Sequence, residues 1–281
     1  MTQKSILITG CSSGIGRCVA QGLHARGWRV FATARKAADV DMLQTKGLEA
    51  LQLDLADSTS IRAAVDVVLA RTGGTLDALF NNGAYGQAGA VEDLRREVLR
   101  EQFETNLFGT MELTNLLIPV MRRQGHGRIV QNSSLLGYVA LPYRGAYVAS
   151  KYALEGLTDT LRLELQGTGI HVVLVEPGPI TSRFRANAFA SYQRNVDKAH
   201  SFHRARYEAM ERRLTKPGPA APFTLPPEAV LKEVVHALES ARPRVRYRVT
   251  FPSTLFALCR RFLPDRWLDK LLQSVGKGES K

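Results

Sequence analysis

Six short apolar runs recur along the first 180 residues, and stretches of helical spacing alternate with them. "SILIT" (Ser5–Thr9), "RVFATAR" (Arg29–Arg35), "GLEALQLDLAD" (Gly47–Asp57), "LDALFNNGA" (Leu76–Ala84), "GRIVQNSS" (Gly127–Ser134) and "IHVVLVEPGPI" (Ile170–Ile180) read as strands. Between them, "IGRCVAQGLHARGW", "SIRAAVDVVLART", "REQFETNLFGTMELTNLLIPVMRRQG" and "AYVASKYALEGLTDTLRLEL" read as helices. The strand runs are nearly continuous rather than alternating, as they must be when both faces of a sheet are covered. Strands of that kind joined by helices call for an α/β fold: a doubly wound, Rossmann-like parallel sheet with right-handed crossovers, flanked by helices. One domain over residues 1–281 is expected, with residues 1–180 as its core.

After Ile180 the rhythm breaks. Residues 181–227 are basic, partly proline-rich and helical in pieces, and they follow the last strand directly. An excursion in that position is expected to serve as a substrate lid. The segment 252–273, "PSTLFALCRRFLPDRWLDKLLQ", carries apolar residues at three-to-four spacing on two helical pieces split by Pro264. Arg260, Arg261, Arg266 and Lys270 fill other positions. Packing against the domain or a second subunit is the expectation, because apolar stripes ordinarily face a core. Peripheral contact with an anionic membrane surface is the alternative.

The net charge of +12 lies almost wholly in the last third: residues 183–281 hold 20 Lys/Arg against 9 Asp/Glu. That bias is shared by solvated surfaces, anionic ligands and membranes. Nucleic-acid binding has only this charge in its favour and no recognised module. Three cysteines, Cys11, Cys18 and Cys259, have neither CxxC spacing nor an even framework. They argue against a disulfide scaffold or a zinc site and fit a reducing, cytoplasmic compartment. The chain enters a strand within four residues of its start, which leaves no room for a signal peptide, and no run approaches a membrane span. No metal site is expected.

The turn after the first strand, "TGCSSGIGRC", has glycines at Gly10, Gly14 and Gly16. In an open parallel sheet ligands bind beyond the carboxyl ends of the strands, so this turn faces a ligand. Gly10 tolerates positive φ, Gly14 and Gly16 permit close backbone approach, and the helix that opens here offers unpaired N–H groups to a phosphate. The pattern is TGxxxGxG, without the GK[ST] of a phosphate loop. At the end of the second strand, where an acid would grip the ribose of NAD, stand Arg35 and Lys36. A guanidinium there favours the 2′-phosphate of NADP over NAD.

Between Ser133 and Lys151 lies the chemistry. Of the tyrosines at 138, 143, 147 and 152, only Tyr147 has a lysine at i+4, Lys151, on the same helix face. An ammonium beside a phenol lowers its pKa, and a phenol so tuned exchanges a proton near neutral pH. Ser133 and Ser134 end a strand where a hydroxyl can meet a carbonyl or alcohol oxygen.

In this order the motifs resemble those of the short-chain dehydrogenase/reductase family over residues 5–182. They read Thr9-Gly10-Cys11-Ser12-Ser13-Gly14-Ile15-Gly16, then Asn81-Asn82-Gly83-Ala84, Asn106, Ser134 and Tyr147-Val148-Ala149-Ser150-Lys151. The 17β-hydroxysteroid and retinol dehydrogenases and bacterial NADP-dependent aldehyde reductases are the nearest subgroup in appearance. The resemblance implies Tyr147 as general acid/base, Lys151 as its tuner and ribose ligand, Ser134 as the orienter of the substrate oxygen, and Asn106 as holder of a relay water. It implies a cofactor site of Gly10, Ser12, Ser13, Gly14, Ile15, Gly16, Arg35, Asp54, Leu55, Asn82, Gly83, Ala84, Tyr147 and Lys151. Pro177, Gly178, Ile180, Thr181 and Ser182 complete it. Asn-Asn-Gly-Ala stands where the family more often has Asn-Asn-Ala-Gly, which leaves the backbone contacts of Gly83 and Ala84 open. The choice between Thr181 and Ser182 as the cofactor-facing hydroxyl is also open.

The implied activity is NADP(H)-dependent hydride transfer between an apolar aldehyde or ketone and its alcohol. A nucleotide-binding redox sensor without turnover is the alternative; the presence of Asn106, Ser134, Tyr147 and Lys151 together favours the enzyme. Tyr85, Ser134, Leu136, Phe184 and Phe189 are the expected substrate contacts, with a self-packed lid as the competing arrangement for its aromatics. The expected partners are a small apolar carbonyl or alcohol and further copies of the chain, as a dimer or tetramer.

Overall fold

The computed structural model of the protein describes residues 3–278. In chain order the elements are β1 (Ser5–Ile8), α1 (Gly14–Ala25), β2 (Arg29–Ala34), α2 (Ala37–Gln44), β3 (Glu49–Gln52), α3 (Ser58–Arg71) and β4 (Ala78–Asn81). There follow α4 (Arg96–Phe103), α5 (Gly109–Gln124), β5 (Gly127–Asn132), α6 (Gly145–Glu164), β6 (Ile170–Glu176), α7 (Phe184–Asn195) and α8 (Arg204–Thr215). The chain closes with α9 (Glu228–Glu239), β7 (Arg246–Arg248), α10 (Phe251–Phe262) and α11 (Asp265–Gly278).

All strand pairings are parallel, in the order β3-β2-β1-β4-β5-β6-β7. Successive strand residues point to opposite faces, so each strand feeds two cores. Ile6, Ile8, Val30 and Phe80 pack with Val19 and Leu23 of α1 and Val230 and Val234 of α9. Leu7, Phe31, Leu79 and Ile129 pack on the other face with Ile61 and Val65 of α3 and Leu113 and Leu117 of α5. The strand order turns around between β1 and β4, and the crevice beyond their carboxyl ends lies there.

Local chemistry sets the ends of the helices. The Asp57 carboxylate caps α3 by accepting from the Thr59 amide, the Thr250 hydroxyl caps α10 by accepting from the Ser253 amide, and Gly125 stops α5 in the left-handed region.

The structure adds a seventh strand to the six that sequence pattern shows. Its residues, Arg246-Tyr247-Arg248, lack an apolar run. Tyr247 is fully buried and its hydroxyl meets His236 Nδ1, while Arg246 pairs with carboxylates of α6 and β6. The long helical stretch before β5 is also not one helix: α4 and α5 are separated by a π-helical turn at Glu104–Phe108.

Within residues 181–227, α7 and α8 pack on each other through Tyr192, Tyr207 and Met210. In the tail, Phe256, Leu268 and Leu272 bury themselves against Leu135, Leu136, Val139 and Leu141, whereas Leu258, Phe262 and Trp267 stay exposed. Among the described residues, no helix is long and apolar enough to cross a membrane.

Candidate active site

The glycine loop is held open by what it lacks. Gly10 (φ +72°) and Gly14 (φ +55°) occupy the left-handed region, and a Cβ on Gly10 would stand 2.7 Å from the Gly83 Cα. Ser13, the N-cap of α1, makes no side-chain cap hydrogen bond, so the first-turn amides face the cleft without a protein acceptor from it. A concave backbone with no side chain in it, at a helix N-terminus, fits the phosphates of a dinucleotide.

Thr9 Oγ1 accepts from the amides of Asn82 (2.9 Å) and Gly83 (2.8 Å). Asn82 Nδ2 donates to the Thr9 and Gly10 carbonyls, and its Oδ1 accepts from Asn132 Nδ2 at 2.9 Å. The Asn82 side chain is thus occupied at both ends by the loop and β5. These bonds fix the loop, and Asn82 also lines the cleft. Gly83 does not have positive φ; it is glycine for space, because a Cβ would lie 2.9 Å from Leu55 Cδ1.

The line of hydrogen bonds continues to Lys151 and Tyr147. Lys151 Nζ donates to the Asn132 carbonyl at 2.7 Å. Asn132 was not singled out from the sequence, and Thr9 and Ser150 only as members of motifs; their hydrogen bonds arise from cross-strand and cross-helix contacts that spacing does not show. Tyr147 stands in the first turns of α6 with its hydroxyl hydrogen-bonded to Ser134. The Ser133 hydroxyl turns toward Glu155 instead, which separates the two serines.

Burial pushes the Tyr147 phenol up to about 12, and the Ser134 hydrogen bond opposes the shift. The expected lowering by Lys151 is not what dominates: Nζ lies 5.8 Å from the Tyr147 ring centroid, and desolvation outweighs it. Burial also brings Lys151 down to about 8, with Glu155 opposing.

Asn106 sits in the π-helical turn. Its Oδ1 accepts from the Tyr85 amide, and its Nδ2 donates to the Tyr85 carbonyl and to Ser150 Oγ. Ser150 Oγ donates to the Tyr147 carbonyl. The side chain implied as a water holder therefore braces the loop after β4 against α6.

A cleft of about 800 Å³ joins these parts. Gly10, Ser12, Ser13, Gly14, Ile15, Asn82, Gly83, Ala84, Ser134, Leu136, Tyr147, Lys151, Pro177, Gly178, Ile180, Thr181, Ser182 and Phe184 all line it. Phe184 meets the Tyr147 ring edge-on, with centroids 5.2 Å apart. Gly16 lies under the loop, where a Cβ would stand 2.3 Å from the Gly10 carbonyl oxygen. Arg35 and Asp54 are outside the cleft wall. Arg35 is exposed just past β2, and Asp54 follows β3 with its carboxylate accepting from the Ala56 amide.

Two expected substrate contacts do not line the cleft. Phe189 stacks on Tyr192 within the lid, at 6.3 Å between centroids. The Tyr85 phenol feels Glu101, Arg194 and Arg35 outside it. The wall comes instead from Leu141, Met210, Leu214, Phe223, Leu255 and Leu271, the last two supplied by the tail. Tyr143 (φ 63°) and Phe223 (φ 58°) are the two non-glycine residues with positive φ among those described, and both line the cleft.

A doubly wound parallel sheet, an open glycine loop at its turn-around point and a Ser134–Tyr147–Lys151 set beside it, its lysine buried, define a nucleotide-binding oxidoreductase. The family model for short chain dehydrogenases matches residues 4–193, and the chain belongs to that family. It is 42% identical to the uncharacterized oxidoreductase YbbO of Escherichia coli K12, over 96% of this chain and 94% of the relative. Human 17-beta-hydroxysteroid dehydrogenase type 1 is 33% identical over 94% of this chain and 80% of its own. A solved structure of actinorhodin polyketide ketoreductase with NADPH superposes with a TM-score of 0.72 at 29% identity, covering 88% of this chain and 95% of the other.

Proposed function

We propose that the protein is an NADP(H)-dependent reductase that converts an apolar aldehyde or ketone into its alcohol, the reverse reaction being the alcohol oxidation. The observation that carries this reading is the Ser134-bonded Tyr147 lining a cleft walled by Leu136, Leu141, Phe184, Met210 and Leu255. The bound nicotinamide nucleotide supplies the hydride. The glycine loop and the N-terminus of α1 hold its phosphates, Arg35 takes the 2′-phosphate, and the residues from Pro177 to Ser182 face its nicotinamide end.

Ser134 holds the carbonyl oxygen by a hydrogen bond. Tyr147 gives that oxygen its proton as negative charge develops there. Lys151, fixed by Asn132, lies beside the phenol, and its positive charge favours the phenolate that proton transfer leaves. The apolar walls exclude water and select an apolar substrate. The names of the relatives, a steroid dehydrogenase and a polyketide ketoreductase, fit carbonyl and alcohol groups on largely apolar frames.

The reading includes a homo-oligomer in a reducing compartment. Phe108 and Leu157, exposed beside one another just before α5 and on α6, supply an apolar face for a second copy, and light scattering measures the mass of the assembly. A screen of aldehydes, ketones and alcohols of graded chain length, each paired with NADPH/NADP or NADH/NAD, tests the activity. Turnover is expected with NADPH and to improve with chain length; turnover with none of them, alongside tight nucleotide binding, would favour the redox sensor.

A further inference from the structure

Helix α10 turns its best apolar stripe away from the fold. Phe251, Leu255, Leu258 and Phe262 are all exposed, and they stand at i, i+4, i+7 and i+11. At 100° per residue that spacing keeps them within about 60° of one another, along about 16 Å of helix. The core takes the other side: Ser253 and Phe256 are buried, and the Tyr138 hydroxyl donates to the Ser253 carbonyl. The Thr250 cap and this bond fix which face looks outward. Leu263 and Trp267, the latter 67% exposed, continue the apolar surface past Pro264.

Cations accompany the exposed rings. The Arg261 guanidinium lies 5.6 Å from the Phe262 ring centroid, and Lys270 Nζ lies 5.8 Å from that of Trp267. Residues 251–278 hold five Lys/Arg against two Asp/Glu, and one of those acids, Asp265, pairs with Arg260. The stripe also runs into the cleft. Phe251, Leu255 and Phe223 are exposed and yet line it, so they stand at its mouth, where the Phe223 and Phe251 rings meet at 5.1 Å.

We propose that this face seats on an anionic lipid bilayer, with the mouth of the cleft turned toward the lipid. Apolar side chains enter the boundary between headgroups and acyl chains, an indole sits at headgroup level, and Lys and Arg meet the lipid phosphates. A second copy related by a two-fold axis suits the face less well, because it brings Arg261 and Lys270 toward their own counterparts. An anionic surface complements both. The docking stands apart from any activity. Delivery of an apolar substrate from the bilayer into the cleft rests on the carbonyl-reductase reading.

The test is sedimentation of the full chain with vesicles of phosphatidylcholine, alone or with about one-third phosphatidylglycerol. Binding is expected to be at least tenfold tighter to the anionic vesicles. Leu258→Ser and Phe262→Ser, whose side chains are outside the cleft lining, are each expected to weaken it at least fivefold. Arg261→Ala combined with Lys270→Ala is expected to remove the difference between the two vesicle types. Trp28 is buried, so Trp267 is the tryptophan that reports: its emission is expected to shift to the blue and to be quenched by brominated acyl chains. Thermal unfolding checks the fold of each variant. Failure to bind either vesicle overturns the inference. So does binding that both serine variants leave unchanged, or that gives no acyl-chain quenching, since charge alone would then account for it. A larger assembly dispersed by Phe262→Ser, without vesicle binding, assigns the face to a second copy and overturns it too. None of these readouts needs turnover, so a chain inactive on every carbonyl tried would leave the docking result standing.

Discussion

Tyr147 keeps its proton because burial leaves a phenolate with little to solvate it, and a single hydrogen bond from Ser134 offsets that only in part. A phenol poised in this way suits the direction that makes an alcohol. Tyr147→Phe keeps the ring against Phe184 and removes the proton, so kcat is expected to fall at least ~100-fold, the scale of general acid–base catalysis. NADPH titration of the variant should be unchanged; activity within a few-fold of the parent would place the acid elsewhere. In the proposed reading Arg35 carries cofactor choice. A guanidinium-to-phosphate contact contributes enough that Arg35→Ala is expected to raise the KM for NADPH about tenfold or more and to spare NADH. Equal losses with both cofactors would remove Arg35 from the site.

Helix α6 carries more than its tyrosine and lysine. Tyr147, Lys151, Glu155 and Asp159 recur every four residues and form one stripe, which runs from the cleft to Arg246 on β7. Burial and the neighbouring Glu176 push the Glu155 carboxyl up to about 7, and Ser133 and Arg246 oppose the shift. The folded chain therefore holds a proton on Glu155 that the unfolded chain has lost, between the ordinary glutamate value and about 7. Stability from this group is present at low pH and falls as pH rises through that window. Glu155→Gln does not titrate, so its stability relative to the parent is expected to increase from pH 5 to pH 8, measured by urea unfolding at each pH. A difference that is flat or declines would contradict the assignment.

The Tyr147–Lys151 half of this stripe is legible in the sequence because an i+4 spacing is local. The other half is not, because its partner Arg246 comes 91 residues after Glu155, in a stretch that reads as charged surface. The π-helical turn around Asn106 was hidden for a related reason: helical periodicity runs through a one-residue distortion without a break. The lid aromatics were visible, but not which way they face. Phe189 and Tyr192 turn to α8, a helix whose Tyr207 and Met210 complete their packing.

For the whole molecule, the tail is a wall of the fold. Leu268, 3% exposed, and Leu272 cover an apolar surface beside α6. Leu268→Ala is expected to cost ~2–5 kcal/mol, as buried leucine truncations do, and to raise the KM for substrate more than that for NADPH. Chains ending at Val249 are expected to aggregate, seen by size-exclusion chromatography. A truncated chain that stays monodisperse and active would show that α10 and α11 are dispensable.

The position of that wall in the chain has a consequence for synthesis. The glycine loop, Tyr147 and Lys151 have all been made by the time Ser182 is added, but Leu255, Leu271 and Val275 of the cleft are not. At ordinary elongation rates the remaining residues take roughly 5–20 s. During that interval Leu135, Leu136 and Leu141 lack the helices that cover them. The nascent chain has its nucleotide-binding loop before it has a closed pocket, and Leu135, Leu136 and Leu141 are open to chaperones and proteases until α10 and α11 are made.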